Sequence, residues 1–426
     1  MWLDDPLSSL QATLAHATAT IPHYREHPAY AAPLESLADL ARLPFIHPDE
    51  YAAAPERYAV AGAFPEMVSF SSSTTGALGR PRWHLQREFD AHAAALRAAL
   101  PPADDAGATL VIHPYDQGAI QRPSGDRRTV YVPFLLPWHH EMILRLLQEG
   151  WRTPAGLVRI DHIDAFSPAL RIYSEWLRQR GVDPGGLGVR ALTGYGSLQP
   201  FTWRRRLTRE WRADYQDIYG LSEVKQSEAN TCPICGAYHF LRPIVAEVVD
   251  PDTRAPIREG FGVLVLSELH PFAELQVLLR YWTDDLVEIA PPCMIADLGF
   301  RFRGRRPAAL RALGPAGPTY LAPLQVAEIL AEFPDVALAA VPWAAWAQDV
   351  GAPRFALRAD GPRLIVDVEL RYAPALFPAR AAALADELRA HLLRAVTGLA
   401  AAVDAGAADL SIETCPSGSL RDPAKV

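Results

Sequence analysis

The sequence predicts an α/β protein in which a large N-terminal domain of helix-covered mixed sheets precedes a small C-terminal α+β domain. Three observations carry this. From about Val68 onward, short apolar runs alternate with amphipathic helical patterns. A stretch without helical pattern, Pro243–Leu286, comes next. A Pro-, Gly- and Ala-rich segment, Arg305–Pro323, then separates it from a closing α, β, β, α succession.

The first sixty residues read as helices punctuated by prolines. Thr109–His113, Thr129–Pro133, Leu157–Ile160 and Val189–Thr193 have the length and apolar content of buried strands. Between them, Glu88–Leu100, His139–Glu149 and Leu170–Arg180 carry the period of amphipathic helices. Such alternation gives parallel sheets covered by helices. In Pro243–Leu286 the runs Val245–Val249, Gly262–Leu266 and Gln276–Arg280 look like strands with no helix between them, which is an antiparallel signature. Beyond the linker, Pro323–Phe333, Val336–Val341, Arg363–Tyr372 and Phe377–Leu399 read as α, β, β and α. A junction near residue 306 gives domains 1–306 and 307–426.

Composition narrows the function classes. The chain has 426 residues, 50% of them hydrophobic and 21% charged, which is the profile of a globular protein with a sizeable core. No run reaches the roughly 18 apolar residues of a membrane span, and the N-terminus lacks a secretory pattern. A cytoplasmic protein without a membrane partner is expected. The net charge of −8 argues against nucleic acid as a partner, although local groups can still bind a nucleotide. Of the 41 basic residues, only Lys225 and Lys425 are lysine. A lysine that survives such a drift toward arginine either persists by chance or marks a place where a compact point charge is needed and a planar fork does not serve.

Four segments carry chemistry. Ser69-Phe-Ser-Ser-Ser-Thr-Thr-Gly-Ala-Leu-Gly-Arg-Pro81 is a run of hydroxyls followed by glycines, dense in N–H and O–H donors. It can wrap a polyphosphate, or it can be a Ser/Thr-rich surface turn. It lacks the ending of a Walker loop, which disfavours a P-loop NTPase. The others are Asp217-Ile-Tyr-Gly-Leu-Ser-Glu223, Arg280-Tyr-Trp-Thr-Asp-Asp-Leu286 and Pro416-Ser-Gly-Ser-Leu-Arg-Asp-Pro-Ala-Lys425.

Together, in this order, the four resemble the motifs of the acyl-adenylate-forming superfamily, in the wording of its phenylacetate–CoA ligase branch. The resemblance implies a large N-terminal adenylate-forming domain and a small mobile C-terminal one carrying Lys425. It implies ATP-dependent activation of a carboxylic acid to acyl-AMP, followed by thioester formation with CoA. By the same resemblance Ser71, Ser72, Ser73, Thr74, Thr75 and Gly76 cradle the phosphates. Tyr219 stacks on adenine, with Gly220 and Ser222 in the same motif, and Glu223 holds Mg²⁺. Asp285 accepts from the ribose hydroxyls, and Arg305 in Arg303-Gly-Arg305 contacts ribose or phosphate. Lys425 neutralises charge on the carboxylate and α-phosphate during adenylation.

Thr231-Cys-Pro-Ile-Cys-Gly-Ala-Tyr-His239 is a Cys-x-x-Cys-x-x-x-His cluster, and ligases of this branch often carry a cysteine after the Asp-Leu motif, here Cys293. Cys232, Cys235, His239 and Cys293 supply four ligands for a closed, structural Zn²⁺ site. A redox Cys-x-x-Cys is the rival, without a thioredoxin-like context to support it.

The chain also departs from its relatives. Gly194-Tyr-Gly-Ser-Leu-Gln-Pro200 stands where they have an adenine-binding stretch with glutamate, and Pro307 stands where they commonly have an acidic hinge residue. Proline fixes φ, so the swing to thioester formation is restricted or displaced. That keeps open an adenylating enzyme that passes its acyl group to an acyl carrier protein, an amine or a reductase. A reading of another class is a zinc-stabilised nucleotide-binding protein that has lost catalysis. For the acid, analogy with phenylacetate and benzoate relatives favours an aryl pocket, with Tyr115, Tyr131, His139 and Tyr195 as candidates. His139 either faces substrate or caps a helix. A homodimer is expected only by analogy.

Overall fold

In the computed structural model, the described residues are 5–421 apart from 71–79, 100–106, 114–119, 125, 126, 135, 155, 198, 225, 241, 242, 295, 297, 316, 342, 343, 345 and 348. They form a mixed α/β fold with large mixed sheets and a small C-terminal β-containing domain, the class the alternation predicts. The chain divides into two compact units, Met1–Ala103 with Ile218–Arg301, and Asp104–Asp217 with Phe302–Val426.

The first unit begins with the expected proline-led helices. Pro6, Pro22 and Pro48 open Pro6–Thr20, Pro22–Glu26 and Pro48–Ala53, where a missing N–H costs nothing and a fixed φ suits the first turn. The antiparallel section is present as Val245–Val249, Phe261–Ser267 and Tyr281–Ile289, paired in that order. The expected strand Gln276–Arg280 is not formed. Arg280 adopts φ 53°, which ends extended backbone, and its buried guanidinium pairs with Glu247 at 2.9 Å and reaches the carbonyls of Ala41 and Leu43. The run ahead of it is apolar because it is buried, and its pairing with another segment is an isolated bridge between Gln276 and Ala59. A second buried pair, Arg82–Glu268 at 2.7 Å, is further tied by Arg82 to the Gln276 carbonyl and by Glu268 to the Leu278 N–H. These extra bonds offset part of the desolvation that two buried charges cost, and burial still holds the Glu268 carboxyl above its ordinary range.

In the second unit, Ala191–Tyr195, Gly156–Phe166, Gly107–His113 and Arg127–Pro133 pair in parallel, with Ile120–Ser124 added antiparallel at the edge. These contain or overlap the four predicted strands. Helices Pro137–Glu149, Ser167–Gln179 and Phe201–Trp211 pack apolar faces against this sheet. Trp211 is fully buried there and satisfies its indole N–H on Ser174 Oγ at 2.9 Å.

The segment expected as a linker is more ordered than its composition implies. Arg306–Ala308 makes one tight turn, and Leu310–Gly314 then pairs with Gly317–Leu321 as a hairpin. Helix Pro323–Leu330 follows as predicted. Val336–Val341 is not a strand and makes only isolated bridges from Val336 to Leu370 and from Leu338 to Pro353. The small sheet instead uses Phe355–Asp360, Arg363–Leu370 and Asp409–Pro416. The long closing helix is split into Pro378–Ala395 and Leu399–Asp404 at Gly398, whose φ of 80° favours glycine. Among the described residues, no helix is long and apolar enough to cross a membrane.

Candidate active site and metal centre

Strands Met67–Phe70 and Pro81–His84 are antiparallel, and Phe70 and Pro81 are register partners. The two ends of the hydroxyl-rich segment are therefore brought side by side. Ser71, Ser72, Ser73, Thr74, Thr75 and Gly76 themselves lie outside the described residues, as do Tyr115 and Lys425. Arg80, next to last in that segment, is described. Its Nη1 lies 2.9 Å from Oε1 of Glu223.

Glu223 reaches this position through a tight turn. Strand Asp214–Tyr219 ends at Tyr219, and Ser227 Oγ accepts from the Leu221 N–H at 2.7 Å, which folds Gly220 to Ser222 outward. Gly220 and Ser222 are exposed, whereas Tyr219 and Glu223 are buried. The Tyr219 hydroxyl donates to Asp285 Oδ2 at 2.6 Å. Asp285 is held in turn by its own N–H on Thr283 Oγ1 at 3.0 Å, and the Tyr219 ring packs edge-on against Phe300. Tyr219 and Asp285 are thus joined directly, with Glu223 and Arg80 paired four residues further along the turn. Sequence reasoning did not assign Arg80 a role. The signal was present, since it is the only basic residue in the loop of a chain that writes arginine for lysine.

Arg305 belongs to the second unit, where it is exposed at the end of strand Phe300–Arg305, followed by Pro307 in the next turn. Tyr195 is the last residue of its parallel strand and donates to the Ile112 carbonyl at 3.4 Å. Tyr131 is opposite Val111 on the neighbouring pair, so the two tyrosines flank strand Gly107–His113 toward its carboxyl end. Ligands of open α/β sheets bind at such ends. His139 takes the helix-capping alternative. It is fully buried, and its Nδ1 accepts the Leu136 N–H at 3.0 Å at the start of Pro137–Glu149.

The cysteine cluster assembles in the first unit. Ligand atoms of Cys232, Cys235, His239 and Cys293 all lie within 4.8 Å of one another. Cys232 and Cys293 sulfurs are 4.0 Å apart, and Cys235 Sγ is 3.2 Å from His239 Nε2. Around a tetrahedral zinc with bonds of about 2.3 Å to sulfur, such atoms sit about 3.8 Å apart, so the set fits. The turn that joins the thiols depends on Gly236, whose φ is 68° and whose N–H bonds the Cys232 carbonyl at 2.9 Å. His239 Nδ1 is held by the Leu298 carbonyl at 2.9 Å, which makes Nδ1 the protonated nitrogen and turns the Nε2 lone pair toward the thiols. Burial pushes the Cys232 thiol up, but backbone N–H groups of Cys235 and Ile234 and the neighbouring thiols outweigh it and leave Cys232 below its ordinary range. Burial leaves Cys235 above it.

No protein-family model and no curated protein matches the chain. Solved structures do. An open conformation of 2-hydroxyisobutyryl-CoA ligase in complex with 2-HIB-AMP and CoA aligns over 99% of this chain and 89% of its own, with a TM-score of 0.67 at 17% identity. A benzoate CoA ligase from Burkholderia xenovorans LB400 aligns over 86% of this chain and 69% of its own, with a TM-score of 0.51 at 13% identity. The chain has the fold of these acyl-CoA ligases. Within this acyl-CoA ligase fold, the Tyr219–Asp285 pair, the Glu223–Arg80 pair and the cysteine cluster all fall in one unit.

Proposed function

We propose that the protein activates a carboxylic acid with ATP, forming acyl-AMP and pyrophosphate, and then passes the acyl group to the thiol of CoA. The observation that carries this reading is the direct 2.6 Å bond between Tyr219 and Asp285, with Glu223 and Arg80 paired alongside, on an acyl-CoA ligase fold. An aromatic ring already oriented by a carboxylate is a preorganised seat for adenine, and the same carboxylate stands ready for ribose hydroxyls. Glu223 would hold Mg²⁺ through a hard carboxylate oxygen, and the ion would supply positive charge to the phosphates. Arg80 is a cation that can move from Glu223 to a phosphate oxygen, and the hydroxyl and backbone groups of Ser71–Gly76 are donors suited to the remaining ones. With the domains divided between residues 306 and 307, Arg305 stands at the end of the first and Lys425 belongs to the second. Lys425 meets the charge that builds on the α-phosphate as the carboxylate attacks.

The motif wording resembles that of the phenylacetate–CoA ligases, and this supports an aryl acid, flanked by Tyr131 and Tyr195, as the favoured substrate. The three thiols and His239 hold a structural Zn²⁺, since four protein ligands leave no open position. Pro307 in its tight turn favours a second reading for the last step, in which the acceptor is a carrier protein, an amine or a reductase.

The test is acid-dependent exchange of labelled pyrophosphate into ATP over a panel of aryl and hydroxy acids, with and without CoA. Exchange with at least one acid, and CoA consumption with that same acid, is the expected result. Exchange without CoA consumption would move the reading to the other acceptors, and absence of exchange with every acid would remove adenylation.

A further inference from the structure

A second group of charges lies wholly within the second unit and has no part in the chemistry so far. Its centre is Arg204, in the first turns of helix Phe201–Trp211. Arg204 Nε donates to the Gln199 carbonyl at 2.7 Å, and Nη2 lies 3.0 Å from Asp217 Oδ2. Asp217 also accepts from the Tyr215 hydroxyl at 3.2 Å. Gln199 is next to last in the stretch Gly194–Pro200 and Asp217 opens the stretch Asp217–Glu223, so one guanidinium holds each near one end.

Helix Pro323–Leu330 reaches the same place. Glu328 Oε2 accepts the Phe201 N–H at 2.7 Å, capping helix Phe201–Trp211 from outside, and its Oε1 lies 3.9 Å from Arg204. A carboxylate is favoured at a helix N-terminus, where N–H groups are left without partners. Glu332, one turn further on, pairs with Arg205 at 2.9 Å.

We propose that Arg204 and Glu328 are positioning residues for adenylation: Arg204 fixes the ends of two nucleotide-binding stretches, and Glu328 couples that clamp to the helix that follows the hinge. This rests on the adenylation reading. The coupling responds to protonation. Burial raises the Glu328 carboxyl to about 7, with the Asp217 carboxylate acting in the same direction and the Phe201 N–H, Arg204 and Arg303 opposing. A docked helix therefore binds the proton more tightly than an undocked one would. Docking strengthens as pH falls and weakens as pH rises through about 7. With an undocked Glu328 at its ordinary value of 4.5, linkage gives a weakening of about tenfold between about pH 6 and about pH 8.

The experiment compares the full-length wild type with Glu328→Gln, which keeps an acceptor for the Phe201 N–H and cannot ionise. Backbone hydrogen exchange of 323–330, corrected for its intrinsic pH dependence, reads docking, and helix 167–179 serves as the internal reference. Protection of 323–330 should fall from pH 6 to pH 8 in the wild type and stay level in the variant. The pyrophosphate-exchange rate at saturating ATP should inflect near pH 7 in the wild type only, with KM for ATP alike in the two proteins. The same pH response in both proteins, or none in the wild type, would overturn the coupling. A wild type that shows the protection change but exchanges no pyrophosphate with any acid would instead overturn the adenylation reading, and with it the catalytic link.

Discussion

Replacing Lys425 by alanine is expected to lower acid-dependent pyrophosphate exchange by about two to three orders of magnitude, the loss that follows when one preorganised group opposite developing negative charge is removed. The effect should fall on the rate at saturating substrates, because a group that meets charge only as it builds contributes little to ground-state binding of ATP. Lys425→Arg is the sharper variant. In a chain with 41 basic residues of which two are lysine, arginine has replaced lysine almost wherever the two are equivalent. If Lys425 persists because a compact ammonium must fit between two oxygens, arginine should fail nearly as badly as alanine. Full exchange by either variant would refute the role.

The second large effect concerns the metal. Purified protein should carry about one zinc per chain. Cys232→Ala should lose it, together with more than about 4 kcal/mol of stability, since metal binding and folding of such a knuckle are one equilibrium. The ligands lie outside the nucleotide-binding motifs, so the loss should appear in thermal unfolding and metal analysis before it appears in KM for ATP. Chelator treatment of the wild type should reproduce the variant. A metal-free wild type with an unchanged melting temperature would contradict this assignment.

Much of this was legible in the sequence because it is locally encoded. Strand Gly107–His113 and its parallel neighbours are written as apolar runs at the right spacing, and Pro6, Pro22 and Pro48 stand at helix starts. The Cys232–Cys235 turn is likewise local, needing only four residues and Gly236. What was not legible depends on partners far along the chain. Gln276–Arg280 has the composition of a strand, but Arg280 is turned into a left-handed conformation by its pairing with Glu247, and periodicity carries no trace of that. Leu310–Gly314 and Gly317–Leu321 sit in a stretch whose Pro and Gly content resembles a linker, yet Gly314 and Gly317 are register partners in the hairpin. His139 could be read as a substrate contact or a cap, and only the position of the Leu136 N–H decides for the cap. The Glu223–Arg80 and Glu328–Arg204 pairings join residues more than a hundred positions apart, and no motif announces them.

The most direct test of the central claim follows the oxygen atoms. The acid is supplied with both carboxylate oxygens as oxygen-18, together with ATP and CoA, and the AMP and pyrophosphate formed are analysed by mass. Attack of the carboxylate on the α-phosphate makes one carboxylate oxygen the bridge to AMP, and breakage at the acyl carbon leaves it there. The account predicts AMP carrying one heavy oxygen and unlabelled pyrophosphate. Unlabelled AMP, or label in inorganic phosphate formed beside ADP, would contradict it.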